Sequence, residues 1–579
     1  MIVKKSLVTF GLWVALIVTL IYTRFVGLDW GIPYPMHPDE RNMVVAILDM
    51  TCHEGWNVDC LNPRFYAYGQ IPLFIGYFLT TIASVWTQTF RIDFVETVLS
   101  LRALSAISSV LTVFVMTKVA VLLSKKATRN VFIALITFIF SPVFIQFAHF
   151  GTTESLLMLF ISILVYLAVS FLQTNLSLTR YILWTGVVFG LAVSTKVSSV
   201  LFAVIPILSI FIASFRSEKN ISIFTIFFSL IKIGLLAAIV FVITSPYNLL
   251  DWEAFVHSMN YESSVGLGTY KAFYTRQFEY TMPLAFQFLH VFPYTLGIPL
   301  FILSIFGFFS LPWNKPHILL RLAAIALFIP NAFIYAKWSR FYSPVFPVMI
   351  LIGSLVLIQL IDMNLRIKIK ILHTLHSIVL SLIVIAVMLF GTAYVSIYRF
   401  PDVRFQASEW IYNNISTDSY ILSETANVVD IPMQNPLVEN EIVFQKNLRP
   451  ISFDFYEVEK NEILEGELED HIKEADYIFV PSRRIFWNHT CLQSSGILQQ
   501  VENSYEEKRC ESLEKEYPLV NAYYQDLFSG RLGFEQVAEF RSYPRIELFG
   551  QILFEFPDEA AEETWTVFDH PVIRIYQRK

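Results

Sequence analysis

Apolar runs close to the ~20 residues that cross a bilayer recur from Ser6 to Ser396. Lipid offers no hydrogen-bond partner to an open backbone, so each run must cross as a helix. The rest of the composition agrees. Of 579 residues, 55% are hydrophobic and 16% charged, against about 25% charged in soluble domains. The formal net charge of -6 is small, and no basic patch with interleaved aromatics points to nucleic acid.

The expected spans are about 6–23, 101–123, 131–149, 154–173, 181–196, 198–215, 223–245, 289–311, 319–336, 342–361 and 371–396, eleven in all. The first follows Lys4 and Lys5 but continues into Arg24-Phe25-Val26-Gly27 with no small-residue cleavage site. It therefore reads as a retained span.

Lysines and arginines in short loops set orientation. Lys4 and Lys5, Lys125, Lys126 and Arg129, Arg180, Arg216 and Lys219, Lys315, and Arg366, Lys368 and Lys370 all fall on one side when the spans alternate. That side is expected to be the cytoplasm, with the N-terminus inside and the C-terminus outside. The apolar stretch Ile71–Trp86 would invert every later cluster if it crossed, so it reads as an amphipathic helix on the outer surface. Lys232, inside the seventh span, reads as a snorkelling side chain.

All four cysteines, Cys52, Cys60, Cys491 and Cys510, fall in outer segments, as an oxidising compartment would allow. Three pairings are possible. The local pairs Cys52–Cys60 and Cys491–Cys510 are the expectation, and neither has zinc-finger spacing.

Near Arg399 the chain changes character. From there to Lys579 it is rich in Glu, Asp and Tyr, without a spanning run. Ala407–Asn414 reads as helix, and Tyr420–Ser423, Tyr477–Val480 and Val572–Tyr576 read as strands. The expected organisation is a membrane domain over 1–398, with an outer loop over 24–100, and a soluble outer α/β domain over 399–579.

Several ionisable groups gather on the outer face. The first outer loop reads Met36-His37-Pro38-Asp39-Glu40-Arg41-Asn42, with two adjacent carboxylates just beyond a span. Pro-Asp-Glu also suits a helix start, where acids complement the dipole. Glu154 opens the fourth span, and Arg102, Lys196, Lys337 and Arg340 lie at outer helix ends. Interfacial anchoring is the ordinary role of such cations. Acids and bases gathered on one face also suit a site that needs both a base and an anion partner. His149, on the same face, reads as a packed histidine. The loop Tyr247–Met282 is aromatic and polar, which suits sugar rings and a membrane interface equally. Asn414-Ile415-Ser416 and Asn488-His489-Thr490 are sequons in the outer domain.

These segments carry a resemblance. Asp39-Glu40, a surface helix from Pro72-Leu73, Leu101-Arg102-Ala103-Leu104-Ser105-Ala106, Thr153-Glu154-Ser155-Leu156, Leu191-Ala192-Val193-Ser194-Thr195-Lys196, Ser245-Pro246-Tyr247 and Arg340-Phe341-Tyr342-Ser343-Pro344 occur in this order over about residues 1 to 400. The pattern resembles the polyprenyl-phosphate-dependent glycosyltransferases of the GT-C class, in particular the group of protein O-mannosyltransferases (family 39) and aminoarabinose transferases. Asp402-Val403-Arg404 and Phe568-Asp569-His570-Pro571-Val572 are also similar to relatives' sequences. No repeats like those of the eukaryotic MIR domain are present.

The resemblance implies a GT-C-type membrane domain and a multi-pass enzyme of the plasma membrane. It would move a sugar from a polyprenyl-phosphate donor to a glycolipid, polymer or protein acceptor, by one inverting displacement. Asp39 would be the base, with Glu40 orienting it or binding acceptor. Lys196, Arg340, Arg102 and Lys337 would hold the donor phosphate, and Glu154 and Tyr247 would contact substrate. Metal use stays open: some enzymes of the class bind a divalent ion with loop acids, and here Asp39, Glu154 and His37 would hold one. A lipid-sugar transporter or flippase, or a non-catalytic assembly subunit, would carry the same topology.

Overall fold

The computed structural model describes residues 2–50, 59–89, 92–124, 127–215, 222–425, 431–432, 447–492 and 504–579. Among them, nine helices are long and apolar enough to span a membrane: α1 (Ile2–Phe25), α4 (Phe94–Leu123), α7 (Glu154–Leu172), α8 (Leu178–Thr195), the 3-10 turn Val197–Ala203 continued by α9 (Val204–Ser214), α10 (Ile223–Thr244), α13 (Lys315–Phe333), α14 (Phe346–Asn364) and α15 (Lys370–Arg399). A tenth crossing is the pair α5 (Thr128–Ile139) and α6 (Pro142–His149), bent by 55°. The expected eleventh, at 289–311, is broken. Its helix α12 covers only Ile298–Ser310, after two short helices at Ala285–His290 and Phe292–Thr295. Lys232 is exposed on α10. Lys125, Lys126, Arg216 and Lys219 lie outside the described residues.

The bend between α5 and α6 has an identifiable cause. Pro142 has no N–H to donate, so carbonyls at the end of α5 lack helical partners. Arg24, fully buried at the end of α1, supplies them. Its guanidinium donates to the carbonyls of Phe138 and Ile139 at 3.0–3.1 Å and to Ser109 Oγ at 3.0 Å. A buried cation is thereby satisfied by a broken helix.

Two further helices precede α4. α2 (Pro38–Leu48) lies between α1 and α3 (Gln70–Trp86). The expected surface helix is α3, with Phe78, Ile82, Val85 and Trp86 exposed along one side. Its start presses on the end of α8: the Gly69 N–H donates to the Thr195 carbonyl at 3.0 Å. A Cβ on Gly69 would lie 1.9 Å from the Ser194 carbonyl oxygen, so only glycine permits this approach. Helix α11 (Trp252–Leu267) follows α10 on the same side.

Beyond α15 the chain forms a helix over Val403–Asn414 and a five-stranded sheet ordered β2-β1-β3-β7-β4. The strands are β1 (Tyr420–Glu424), β2 (Arg449–Phe453), β3 (Tyr477–Val480), β4 (Phe534–Phe540) and β7 (Ile573–Arg578). β1 is parallel to β2 and β3, and β7 is antiparallel to β3 and β4. Strand alternation divides the core: Leu422, Ile478 and Val480 pack on one face, and Ile421, Tyr477 and Phe479 on the other. A separate hairpin joins β5 (Arg545–Leu548) to β6 (Gln551–Glu555). Cys491 and Cys510 form a disulfide. Cys60 is also disulfide-bonded, while Cys52 lies outside the described residues.

This domain docks on the membrane bundle through buried polar groups. Asp569 accepts hydrogen bonds from the Tyr398 hydroxyl at 2.6 Å and the Gln146 amide at 3.2 Å. His570 sits between Asp569 at 2.6 Å and Asp558 at 3.0 Å. Burial lowers its pKa, but the two carboxylates raise it to about 10, so the imidazole is cationic. Arg404 is held by Asp402 and donates to the carbonyls of Val567 and Phe568.

Candidate active site

A cavity of about 990 Å³ lies between the bundle and the C-terminal domain. Three of the ionisable groups expected from the sequence line it: Asp39, Lys196 and Arg340.

Asp39 sits in the first turn of α2, behind Pro38. His37 caps that helix, its Nδ1 accepting the Glu40 N–H at 3.4 Å. Successive residues on a helix point about 100° apart, so Asp39 and Glu40 diverge. Asp39 faces the cavity and meets the Arg340 guanidinium at 2.9 Å. The Tyr68 hydroxyl donates to it as well. Burial pushes the Asp39 pKa up, but Arg340, His37 and Lys196 together push it below the usual carboxylate range.

Arg340 stands on the 3-10 turn Ser339–Tyr342 between α13 and α14, with its guanidinium 4.5 Å over the Trp338 ring. That turn is held from the C-terminal domain, because the Glu562 carboxylate accepts the Ser339 N–H at 3.0 Å. Gln277 donates to both Glu562 and Glu563 at 3.2 Å.

Lys196 caps the C-terminus of α8 where the chain turns extended. Its ammonium lies 3.5 Å from Glu154, the first residue of α7, and 5.0 Å over the Tyr68 ring. Glu154 is 3% exposed and stands behind the lysine rather than on the cavity wall.

Four expectations need correction. Glu40 is not beside Asp39 as an orienting acid. It turns into the bundle, where Arg102 binds it twice, at 2.7 and 2.9 Å, and the Gly151 N–H donates to it at 2.6 Å. Arg102 is fully buried, and its remaining donors go to the carbonyls of Leu28 and Trp30, so it faces no phosphate. Lys337 is buried off the cavity wall, its ammonium on the Tyr335 carbonyl at 3.1 Å. Burial pushes its pKa down to about 8. Tyr247 packs against Phe74, and its N–H donates to Gln70, away from the cavity.

The metal set does not assemble either. Asp39 and Glu154 each face a cationic side chain, and the His37 ring packs between Phe150 and Phe568. Among the described residues no three His, Cys, Asp or Glu side chains gather in ligand geometry. His149 is packed as expected, stacked at 3.7 Å on Tyr398. Asn488 of the second sequon is buried, donating to the Arg484 carbonyl and accepting the Gln277 N–H, which leaves no room for a glycan.

The sequence reading gave Glu262, in the aromatic loop Tyr247–Met282, no specific role, and it missed Tyr68 and the C-terminal contributors to the cavity, Asp454, Tyr456 and Arg484. Arg484 pairs with the buried Glu563 at 3.0 Å. Aromatic-rich loops gave no reason to single out Tyr68, and Arg484 lies nearly three hundred residues beyond Lys196 in sequence.

Residues 72–247 match the family described as dolichyl-phosphate-mannose-protein mannosyltransferase. The match spans 176 of the 579 residues and lies within the helical bundle. No curated protein matches the sequence. Among solved structures, the chain is similar to the archaeal oligosaccharyltransferase AglB from Archaeoglobus fulgidus in complex with an inhibitory peptide and a dolichol-phosphate. That match has 14% identity over 84% of this chain and 71% of that one, with a TM-score of 0.49. It is also similar to ArnT from Cupriavidus metallidurans bound to undecaprenyl phosphate, with 12% identity over 81% and 92% of the two chains and a TM-score of 0.45.

Proposed function

We propose that this enzyme transfers a sugar from a polyprenyl-phosphate donor to an acceptor hydroxyl or amine on the non-cytoplasmic face of the plasma membrane, with inversion at the anomeric carbon. The observation that carries this reading is the meeting of one carboxylate and two cations, Asp39, Lys196 and Arg340, at the polar end of a cavity whose other wall is apolar. That apolar wall is Val200, Leu201 and Phe202 beside Leu327 and Ile334. Val200 on this wall is itself 56% exposed, which suits a side through which a polyprenyl chain enters.

The chemistry follows from charge. The donor phosphodiester carries one negative charge. As the bond from the anomeric carbon to the phosphate oxygen breaks, the departing polyprenyl phosphate takes the electron pair and gains a second. Lys196 and Arg340 therefore stabilise the transition state more than the ground state. The acceptor attacks the opposite face of the sugar and passes its proton to Asp39. Arg340 holds Asp39 in its weakly basic, ionised form. A phosphate that draws Arg340 toward itself raises the basicity of Asp39 as the donor binds. The acids expected for a divalent ion are each engaged by a cation, so this donor set does not fit one, and no step is routed through a metal. The loop lysines and arginines opposite the cavity support its outer placement.

The test is release of free polyprenyl phosphate by purified protein in nanodiscs. It is supplied with a panel of polyprenyl-phosphate sugars and a crude membrane acceptor extract. Turnover by wild type and its loss in Asp39→Asn is the expected result. Equal turnover by both would remove Asp39 from the reaction. No turnover of any donor by folded protein would sink the transferase mechanism and favour a transporter or an assembly subunit.

A further inference from the structure

The hairpin formed by β5 and β6 stands apart from the five-stranded sheet and carries its apolar residues at its tip. Leu548, Phe549, Ile552 and Leu553 are 52%, 95%, 55% and 63% exposed. The turn itself is unusual in its choice of residue. Phe549 and Gly550 both have positive φ, 52° and 77°. A two-residue turn of this kind favours Asn or Asp before the glycine, and a bulky side chain in the left-handed region is strained. A phenylalanine there is unfavourable for the turn and unfavourable in water.

The hairpin's position supplies a reason. The Arg545 N–H donates to Ser396 Oγ at 3.1 Å, near the cavity-side end of α15. Phe554 and Phe556 pack on Phe390, with ring centroids at 5.8 and 4.8 Å. Phe390 lies nine residues before the end of α15, about 14 Å along its axis, inside the apolar run 371–396 expected to cross the bilayer. The exposed stripe of α15, Leu375, Ile378, Leu382, Ile385 and Leu389, ends one residue short of it. The hairpin is thus held beside a helix face whose exposed apolar stripe a bilayer would cover. Of its three charged residues, Arg545 and Glu555 stand opposite each other at the other end, and Glu547, opposite Ile552, is drawn to Arg545 at 3.3 Å.

We propose that this hairpin is a membrane anchor. Its Phe549 tip inserts into the leaflet on the cavity side and fastens the C-terminal domain to the bilayer beside α15. The partner is the lipid surface itself, in the manner of an interfacial amphipathic element.

Among the described residues no cysteine is free, so a nitroxide label on Phe549→Cys reports that position alone. The full-length protein is reconstituted in nanodiscs of phosphatidylcholine and phosphatidylglycerol. Collision of the label with oxygen and with a water-soluble nickel chelate is then measured by electron paramagnetic resonance. Leu382→Cys, on the lipid face, and Lys460→Cys, on the soluble domain, give the two limits. The proposal expects the label at 549 to behave like that at 382, open to oxygen with loss of nickel collisions. A label at 549 that behaves like that at 460 would overturn it. So would one shielded from both reagents, which would mean a protein contact, such as a second copy of the chain. Leu553→Cys repeats the measurement should Phe549→Cys fold poorly.

Discussion

Asp39 and Glu40 are neighbours in sequence but partners of different arginines: Asp39 meets Arg340 in the cavity, and Glu40 is locked to Arg102 inside the bundle. About 100° of helix rotation thus separates a carboxylate facing the cavity from one held inside the bundle, and on the proposed mechanism substitution should separate them too. Breaking a buried ion pair on one side costs about 3–5 kcal/mol, because the partner charge is left uncompensated. Glu40→Gln should therefore lower the melting temperature and the folded yield markedly, while the folded fraction keeps its turnover within a few-fold. Asp39→Asn should do the reverse. Turnover should fall by about 10²–10⁴, the usual worth of a general base, with little change in melting. Thermal unfolding in nanodiscs beside donor turnover decides the matter, and equal effects of the two changes would refute the division.

The acid limb of the rate profile should report Asp39. Burial raises its pKa, and Arg340 leads the groups that bring it below the usual range. Wild-type kcat/KM should thus hold until the pH falls below about 4, the ordinary aspartate value. In Arg340→Gln the lowering influence is lost and burial remains, so the limb should move to higher pH. The plateau should also fall by about 10²–10³ through loss of a transition-state cation. A limb that stays in place would break the link between the two residues.

Docking of the C-terminal domain should weaken in alkali. The His570 pKa is raised to about 10 in the folded protein, against about 6.5 unfolded. The stabilisation from its charged form is therefore complete below about pH 6.5 and is lost as pH rises toward 10. Melting temperature should decline across that window in wild type. In His570→Gln it should start lower and decline less. Parallel declines in both proteins would show that other groups set the alkaline limit.

The Cys491–Cys510 disulfide closes a loop with a sequence separation of 19, worth about 3 kcal/mol on the chain-entropy account. Cys491→Ser with Cys510→Ser should lower the unfolding temperature of the C-terminal domain and raise its sensitivity to protease. Unchanged protease resistance would mean the surrounding core already fixes this segment.

Much of this architecture was legible because lipid enforces simple rules. Ten of the eleven expected crossings appear as apolar helices or a bent pair among the described residues, since twenty apolar residues have few other uses. The broken segment at 289–311 was harder to read, because its composition is apolar while its backbone is interrupted at Val291 and Gly297. The site was half legible. Sequence gives the end of the helix at which a cation sits, and so brought Lys196, Arg340, Arg102 and Lys337 forward alike. It does not give the direction around the helix or loop. That direction sends Arg102 to Glu40 and Lys337 to a backbone carbonyl. Partners distant in sequence, such as Glu562 under Ser339, carried no local signal.

The cavity wall supplied by Thr564 and Phe568 has a consequence for biosynthesis. These residues leave the ribosome after every membrane helix, and at typical elongation rates roughly half a minute to two minutes after Asp39. Until the segment 558–570 arrives and docks, the loop bearing Arg340 lacks its Glu562 tether, and the site lies open on one side. A nascent or truncated chain could therefore be inserted and folded through its membrane helices while its cavity is incomplete, and on the proposed mechanism it would not spend a lipid-linked sugar on water. Activity would begin only with the completed molecule.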